Sequence, residues 1–276
     1  LIETTARQDL NTTQMLTISI VTFNPDINEF RATLAALADA LTPFDPTSVV
    51  ITIIDNSSQD GVSAIVEEQL PGSQTRVIHG QGNVGFGRAH NLALSDMGEF
   101  HLILNPDIQM DHLALRNAID FMQKHPDCGL LSPRAFWPDG KRQYLCKRYP
   151  AILDLLLRGF APKRIQRFFD TRLKRYEMRV ETQNDIFWNP PIVSGCFMLF
   201  RREVLVKAGG FDPGYFLYFE DFDLSVRSSR ITKIAYVPSV EIVHMGGHAA
   251  KKGHWHIWQF LRSSVKFYSD HGVRLI

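Results

Sequence analysis

The chain has 276 residues, enough to bury a large core as one domain or as two small ones. Apolar residues make up 45% and charged residues 21%, the profile of a soluble globular protein, and a net charge of +1 supplies no global field toward nucleic acid or another polyanion. Three scattered cysteines (Cys128, Cys146, Cys196) without a CxxC pair argue against a disulfide framework or a zinc site and fit a reducing cytoplasm, while no apolar run approaches the roughly 18–20 residues that span a bilayer.

Residues 1–14 are polar and turn-rich, with no basic-then-apolar signal, and are expected to be a loose leader. From residue 15 the pattern alternates. Apolar β-branched runs at 16–23, 49–54, 75–79 and 100–104 predict strands, and helical spacing predicts helices at 26–41, 61–70 and 86–95. Repeated β-α units with continuous apolar strands imply a parallel sheet covered by helices on both faces. The second half is less regular: a strand at 193–200, two short strands at 234–237 and 240–243 around Pro238, and a closing helix at 254–271. Between them, residues 153–179 are helical and basic, with Leu155, Leu156, Leu157, Phe160, Ile165, Phe168 and Phe169 supplying apolar area. That segment reads either as a membrane-surface helix pair or as a solvated insertion packed on the sheet.

In an open sheet of this class, ligands sit beyond the carboxyl ends of the strands. After the first strand come Thr22, Phe23 and Asn24, and after the second Asp55-Asn56-Ser57-Ser58. Helix capping accounts for the residues from Asn56 to Asp60 but not for Asp55, which can accept hydrogen bonds from a nucleobase or ribose. The third loop, Gly82-Asn83-Val84-Gly85-Phe86-Gly87, runs into a helix containing Asn91; it is either a tight turn or a close approach of backbone amides to phosphate, and it matches neither the Rossmann nor the P-loop pattern. The fourth, Asn105-Pro106-Asp107, ends a strand with a carboxylate suited to a cation on a diphosphate, and His244 is the candidate second ligand. The densest acidic run is Tyr218-Phe219-Glu220-Asp221-Phe222-Asp223-Leu224: neighbouring carboxylates raise each other's pKa, which suits a general base, although an acidic helix start would look the same.

This ordered set, together with Gly210-Phe211-Asp212 and Val237-Pro238 before His244, resembles family 2 glycosyltransferases of the GT-A fold, within them the rhamnosyltransferase-like branch, over about residues 15–270. The resemblance implies a single α/β domain at 15–276, with a nucleotide-sugar half at 15–110 and an acceptor half at 111–276 carrying the basic insertion near 151–180. It implies that Thr22, Phe23, Asn24 and Asp55 line the base and ribose pocket. Asn83, Gly85, Phe86 and Asn105 would border the nucleotide sugar, with Asn91 supporting the loop. Asp107 and His244 would hold a divalent cation, Mg²⁺ or Mn²⁺; Asn105-Pro106-Asp107 stands where many relatives have Asp-x-Asp, leaving one carboxylate fewer. Asp221 would be the general base with Glu220 in reserve. Where the family usually has Gly after the Glu-Asp helix, this chain has Arg230-Ile231-Thr232-Lys233, so that turn should differ.

The implied reaction is an inverting transfer from a nucleoside-diphosphate sugar, dTDP-β-L-rhamnose by subfamily, to a cell-surface polysaccharide or its lipid-linked precursor, in the cytoplasm and peripheral to the membrane, with no nucleic-acid partner. A UDP- or GDP-sugar donor is the alternative. Trp188, Trp255 and Tyr218 are candidates for the acceptor side; Trp258 could stack there too, though core packing is the simpler expectation for it. Two rivals remain at this level. A sugar nucleotidyltransferase would need a Gly-rich basic loop after the first strand, where Thr22-Phe23-Asn24-Pro25 stands instead. A non-catalytic nucleotide-sugar-binding subunit would not need Asp107 or the Glu220-Asp221 pair.

Overall fold

Seven consecutive buried residues, LTISIVT, form strand β1 (Leu16–Thr22), and its alternation serves two cores at once. Leu16, Ile18 and Ile20 pack into one apolar core with Phe30, Leu34 and Leu37 of helix α1 (Ile27–Leu41), whose N-terminus is capped by Asp26. Thr17 and Ser19 point the other way, to His101 Nδ1 at 2.8 Å and Nε2 at 3.0 Å, and Ser19 also meets His90 Nδ1 at 2.7 Å. Burial holds both imidazoles neutral, pulling His101 down to about 3 and His90 well below its ordinary value. A strand covered on both faces reads as a continuous apolar run for this reason.

The computed structural model describes residues 14–159, 161–246 and 253–275, so the proposed leader lies almost wholly outside the described residues, as do Phe160 and the residues just after Gly246. After α1 come β2 (Val49–Asp55), α2 (Ser63–Gln69), β3 (Gln74–Ile78), α3 (Phe86–Asn91), β4 (Phe100–Leu104), β5 (Ile108–Met110), α4 (Ala114–Lys124), β6 (Cys128–Phe136), β7 (Arg142–Gln143) and β8 (Cys146–Lys147). The chain then forms α5 (Ile152–Gly159), α6 (Lys163–Phe168), α7 (Asp170–Tyr176), β9 (Phe187–Trp188), β10 (Ile192–Val193), β11 (Phe197–Arg201), α8 (Arg202–Ala208), α9 (Glu220–Ser229), β12 (Lys233–His244) and α10 (His254–His271).

One sheet runs through both halves in the order β3-β2-β1-β4-β11-β6-β12-β5. β3, β2, β1 and β4 are parallel, β11 is antiparallel to both β4 and β6, and β12 runs parallel to β6. Thr22 faces Asp55 and Ile20 faces Leu104, so the carboxyl ends of β2, β1 and β4 come out together along one edge. The second core, on the opposite face, gathers Phe200, Leu205, Phe211 and Leu224 under α8 and α9. All three cysteines are buried and free.

Five expectations change. The strand expected at 193–200 is two, β10 in a separate two-stranded sheet with β8 and β11 in the main sheet. The helix expected at 86–95 stops at Asn91 and continues as a short 3-10 turn at Leu94–Asp96. The two short strands around Pro238 are one strand, β12, whose pairing with β6 shifts register between Val237 and Glu241; Pro238 falls in that irregularity, where its missing N–H costs no ladder bond. The basic segment is three short helices rather than a pair. Finally, α4 and β6 went unread, although α4 buries Ala114, Leu115, Ala118, Ile119 and Met122 at helical spacing and β6 lies inside the sheet.

Candidate active site

Above the aligned strand ends lies an open cleft of about 660 Å³. Its floor and one wall come from the strand-end loops, through Thr22, Phe23, Asn56, Asn83, Gly85, Phe86, Asn105 and Asp107; Phe216, Leu217, Trp255 and His256 from the second half close it. The structure therefore brings together most of the residues singled out for the nucleotide sugar.

Behind Thr22, Asp55 is completely buried and accepts from Thr22 Oγ1 and from the Ser57 amide, both at 3.0 Å. Its Oδ2 is also buried and has no hydrogen-bond partner among the described residues. Asn24 adopts a left-handed conformation (φ +45°), and its amide donates to Ser57 Oγ at 2.8 Å. Neither Asp55 nor Asn24 lines the cleft; both brace Thr22 and Phe23, which do. Asn56, expected to be a helix cap, instead reaches across to the Gly85 carbonyl at 3.2 Å, and Asp60 caps α2.

Gly85 has φ +90°, and a Cβ there would stand 2.4 Å from the Phe216 carbonyl oxygen. The Phe86 amide donates to that same oxygen at 3.1 Å, so the first amide of α3, expected to meet phosphate, is used in fastening the glycine loop to the second half. Asn91 supports the arrangement from below, exchanging two hydrogen bonds with the backbone of Phe211 at 2.8 and 2.9 Å.

Asp107 and His244 meet although 137 positions separate them in the sequence, because β12 pairs with β5 immediately after Asp107. Asp107 Oδ1 lies 3.5 Å from His244 Nε2. Ligands at adjacent positions of one octahedral cation stand about 3 Å apart, so this spacing fits two ligands to one ion. Gln143 Oε1 is 3.0 Å from His244 Nδ1, placed to accept its proton, and the ring directs Nε2 at Asp107. Burial disfavours the imidazolium of His244, yet the adjoining Cys196 sulfur and the Asp107 carboxylate hold its pKa up at about 10. Gly246 completes the cradle: a Cβ there would fall 2.1 Å from Asp107 Oδ2. Among the described residues no group of three His, Cys, Asp or Glu is arranged to hold an ion, so further ligands would come from a diphosphate and water.

The acidic run opens α9. Before it, Tyr218 and Phe219 take consecutive left-handed conformations (φ +70° and +65°), a strain on the order of 1 kcal/mol each that aims the first turn inward. Tyr218 is held by its hydroxyl, 2.8 Å from His256 Nδ1. The three carboxylates then part company. Asp223 is structural, bonded to Arg227 at 2.6 Å and to His271 Nε2 at 2.8 Å. Asp221 accepts from the Gly195 amide at 2.8 Å and the Phe222 amide at 2.9 Å. A Cβ on Gly195 would sit 3.0 Å from Asp221 and 3.5 Å from the ring of Phe86, which sets Asp221 beside the cleft wall. Glu220 Oε2 is buried without a partner among the described residues. Burial, then the Asp221 charge, pushes Glu220 up to about 8, and burial raises Asp221 as well against the two amides that favour its charge. Two such carboxylates share a proton and titrate as a pair.

Two tryptophans depart from expectation. Trp188 pairs through β9 with Ala235, toward the start of β12 and far from His244, and packs on Phe121 and His125, which gives its expected acceptor role no support. Trp258 is 54% exposed, with Arg262 over its ring, so it is no core residue. Trp255 lines the cleft edge-on to Phe216. Sequence reading missed Gln143 and Gly195, whose roles are a hydrogen bond behind His244 and backbone approach to Asp221. The glycine two positions after His244 was legible as a point of close approach.

A family model described as "Glycosyl transferase family 2" matches residues 17–209. The chain is 27% identical over 256 residues, 86% of its own length and 78% of the relative's, to N-acetylglucosaminyl-diphospho-decaprenol L-rhamnosyltransferase of Mycobacterium tuberculosis. It is 28% identical over 193 residues to rhamnosyltransferase WbbL of Escherichia coli, covering 64% of this chain and 68% of that one. Its fold superposes with a TM-score of 0.61 and 16% identity on GalNAc-T7 crystallised with UDP, GalNAc and Mn²⁺, over 84% of this chain and 43% of that longer one. The mixed, mostly parallel sheet is the GT-A fold that the resemblance implied. With the family model spanning well over half its length, the chain belongs to glycosyltransferase family 2 and is a glycosyltransferase.

Proposed function

We propose that this glycosyltransferase is an inverting rhamnosyltransferase that moves L-rhamnose from dTDP-β-L-rhamnose to a lipid-linked or polysaccharide acceptor, at the cytoplasmic face of the membrane. The carrying observation is the placement of two unlike acidic sites around one cleft: Asp107 beside His244 at the strand ends, and the Glu220-Asp221 pair behind Phe86. The named activity of the mycobacterial and E. coli relatives supports the sugar and the acceptor class.

In this reading the base and ribose lie against Thr22 and Phe23, with Asp55 behind them. The acceptor oxygen attacks the anomeric carbon from the face opposite the diphosphate; the new C–O bond forms as the bond to the diphosphate oxygen breaks. Asp221 takes the acceptor's hydroxyl proton, and inversion yields an α-linkage plus dTDP. The Gly195 amide fixes the Asp221 oxygen, and burial raises the basicity of Asp221. Asp107 Oδ1 and His244 Nε2 are the atoms that would hold Mg²⁺ or Mn²⁺, and their spacing and glycine cradle fit such an ion. A bound cation would supply charge against the departing diphosphate.

The test is a panel of nucleotide sugars scored by thermal shift and hydrolysis, with Mg²⁺ or Mn²⁺ and then with chelator. Ligand binding to the folded state raises Tm. A selective shift by dTDP-rhamnose, lost with chelator, is the expected result. A selective shift by a UDP- or GDP-sugar overturns the donor, no shift with any of them overturns nucleotide-sugar binding itself, and a shift without hydrolysis or transfer favours the non-catalytic subunit.

A further inference from the structure

The basic insertion carries eight cations, and the structure sorts them into two groups. Arg158 and Arg179 pair with Glu177, Arg172 with Asp154, and Lys174 with Asp170. These tie α5 and α7 to each other, and both helices bury residues: Asp154 and Leu157 from one, Leu173 and Tyr176 from the other. Lys163, Arg164, Arg167 and Arg175 have no carboxylate partner among the described residues, and the first three stand on α6. That helix buries none of its residues. It exposes Ile165 at 45% and Phe168 at 89%, followed by Phe169 at 39%. Ile165 and Phe168, three residues apart, share a face.

Three unneutralised cations around a nearly naked phenylalanine and an isoleucine make a poor water-facing surface. We propose that α6 is a docking element for a bilayer bearing anionic phospholipids, with Phe168 and Ile165 entering the boundary between headgroups and acyl chains and Lys163, Arg164 and Arg167 on the lipid phosphates. Charge complementarity selects this occupant: an anionic bilayer offers a continuous negative plane directly above an apolar layer, in the order in which α6 displays its groups. The location suits a transferase with a lipid-linked acceptor. Ile152 and Leu155 of α5 pack against the aromatic cluster of Tyr215, Phe219 and Phe267 that underlies the start of α9, and the Arg158 guanidinium lies near enough to favour the charged form of Asp221. The docking surface itself stands independently of the donor assignment.

The experiment uses the full chain in co-sedimentation with phosphatidylcholine vesicles and with equimolar phosphatidylcholine–phosphatidylglycerol vesicles. Binding is expected to the anionic vesicles only and to weaken as salt rises. Joint replacement Lys163→Gln, Arg164→Gln, Arg167→Gln should weaken it on the order of 100-fold. Phe168→Ser alone should weaken it about tenfold. Lys174→Gln, which removes a paired cation, should leave it within about twofold. Circular dichroism and the donor-induced thermal shift verify that each variant is folded, and they keep a failure of lipid binding separate from a failure of the transferase reading. Equally poor binding to both vesicle types overturns the proposal, as does undiminished binding by the triple variant and by Phe168→Ser. Capture of a defined protein through α6 without lipid binding overturns it in favour of a protein partner.

Discussion

At the ends of β1, β2 and β4 the polar side chains tie the loops together, Thr22 to Asp55, Ser57 to the Asn24 amide and Asn56 to the Gly85 carbonyl, with Asp55 Oδ2 and Asn105 Oδ1 left over. At the start of α9, just after a backbone strained into the left-handed region, Glu220 is buried with one oxygen unpartnered and Asp221 beside it rests on two backbone amides. The first region spends its polar groups on holding shape and presents a pre-formed wall for a nucleotide. The second keeps charge short of partners, which raises carboxylate pKa toward neutrality and suits proton transfer. The same residue types thus do different work according to the burial and the neighbouring charge each is given, and the contrast is open to direct attack.

The largest effect is expected from Asp221→Asn. Removing the base should lower transfer by about 10²–10⁴-fold, while the donor-induced thermal shift persists. Equal loss of binding and turnover would return Asp221 to a structural role and erase the contrast.

On the strand-end side, Gly246→Ala forces a methyl group to within 2.1 Å of Asp107 Oδ2, so that carboxylate must move. Weakening of Mn²⁺ affinity by about 10–100-fold, read by electron paramagnetic resonance of free Mn²⁺, is expected. Gln143→Leu removes the acceptor for His244 Nδ1–H and should cost about tenfold by the same measurement without displacing Asp107. Unchanged affinity in both variants would remove the cation from this pair.

The smallest effect sharpens the other region. Glu220 rises to about 8 in the folded chain from an ordinary 4.5, so the folded state holds its proton more tightly than the unfolded state does. Stability therefore falls as pH climbs between those two values. Glu220→Gln should remove that loss, gaining roughly 5 °C in Tm over the parent at about pH 9 relative to about pH 5. Burial pulls Lys147 down to about 7, giving an opposite slope above that pH, but it is present in both proteins and cancels in the difference. A parent–variant difference independent of pH would mean that Glu220 is ionised in the fold as freely as in the unfolded chain.

Much of the first half was legible. A run such as LTISIVT can be satisfied only by burial on both faces, and Asn24-Pro25 ahead of an amphipathic stretch marks a helix start, although the cap itself proved to be Asp26. The site residues in those loops were legible for the same reason: parallel strands all end at one edge, so the loop after each must line the same cleft. The second half yielded less. α4 and β6 were missed, and Pro238 was taken to split a strand that instead carries it in a register shift. Trp188 was expected at the acceptor on residue type alone, and packing placed it on Phe121 and His125.

What the sequence determined by itself was local: the periodicity of strands and helices, the strand-end polar residues, and the run of carboxylates, each set by neighbours a few positions away. Only the tertiary structure decided which carboxylate is a salt-bridge partner and which is left near a base's pKa, since that depends on Arg227 and His271 reaching Asp223 while Gly195 offers Asp221 one amide. It also decided that Gln143 orients His244 and that Gly246 makes room for Asp107, contacts between segments about 100 or more residues apart. The physical reason is that desolvation and close backbone approach are properties of a position in space, and no local pattern of residues encodes what will be packed against it.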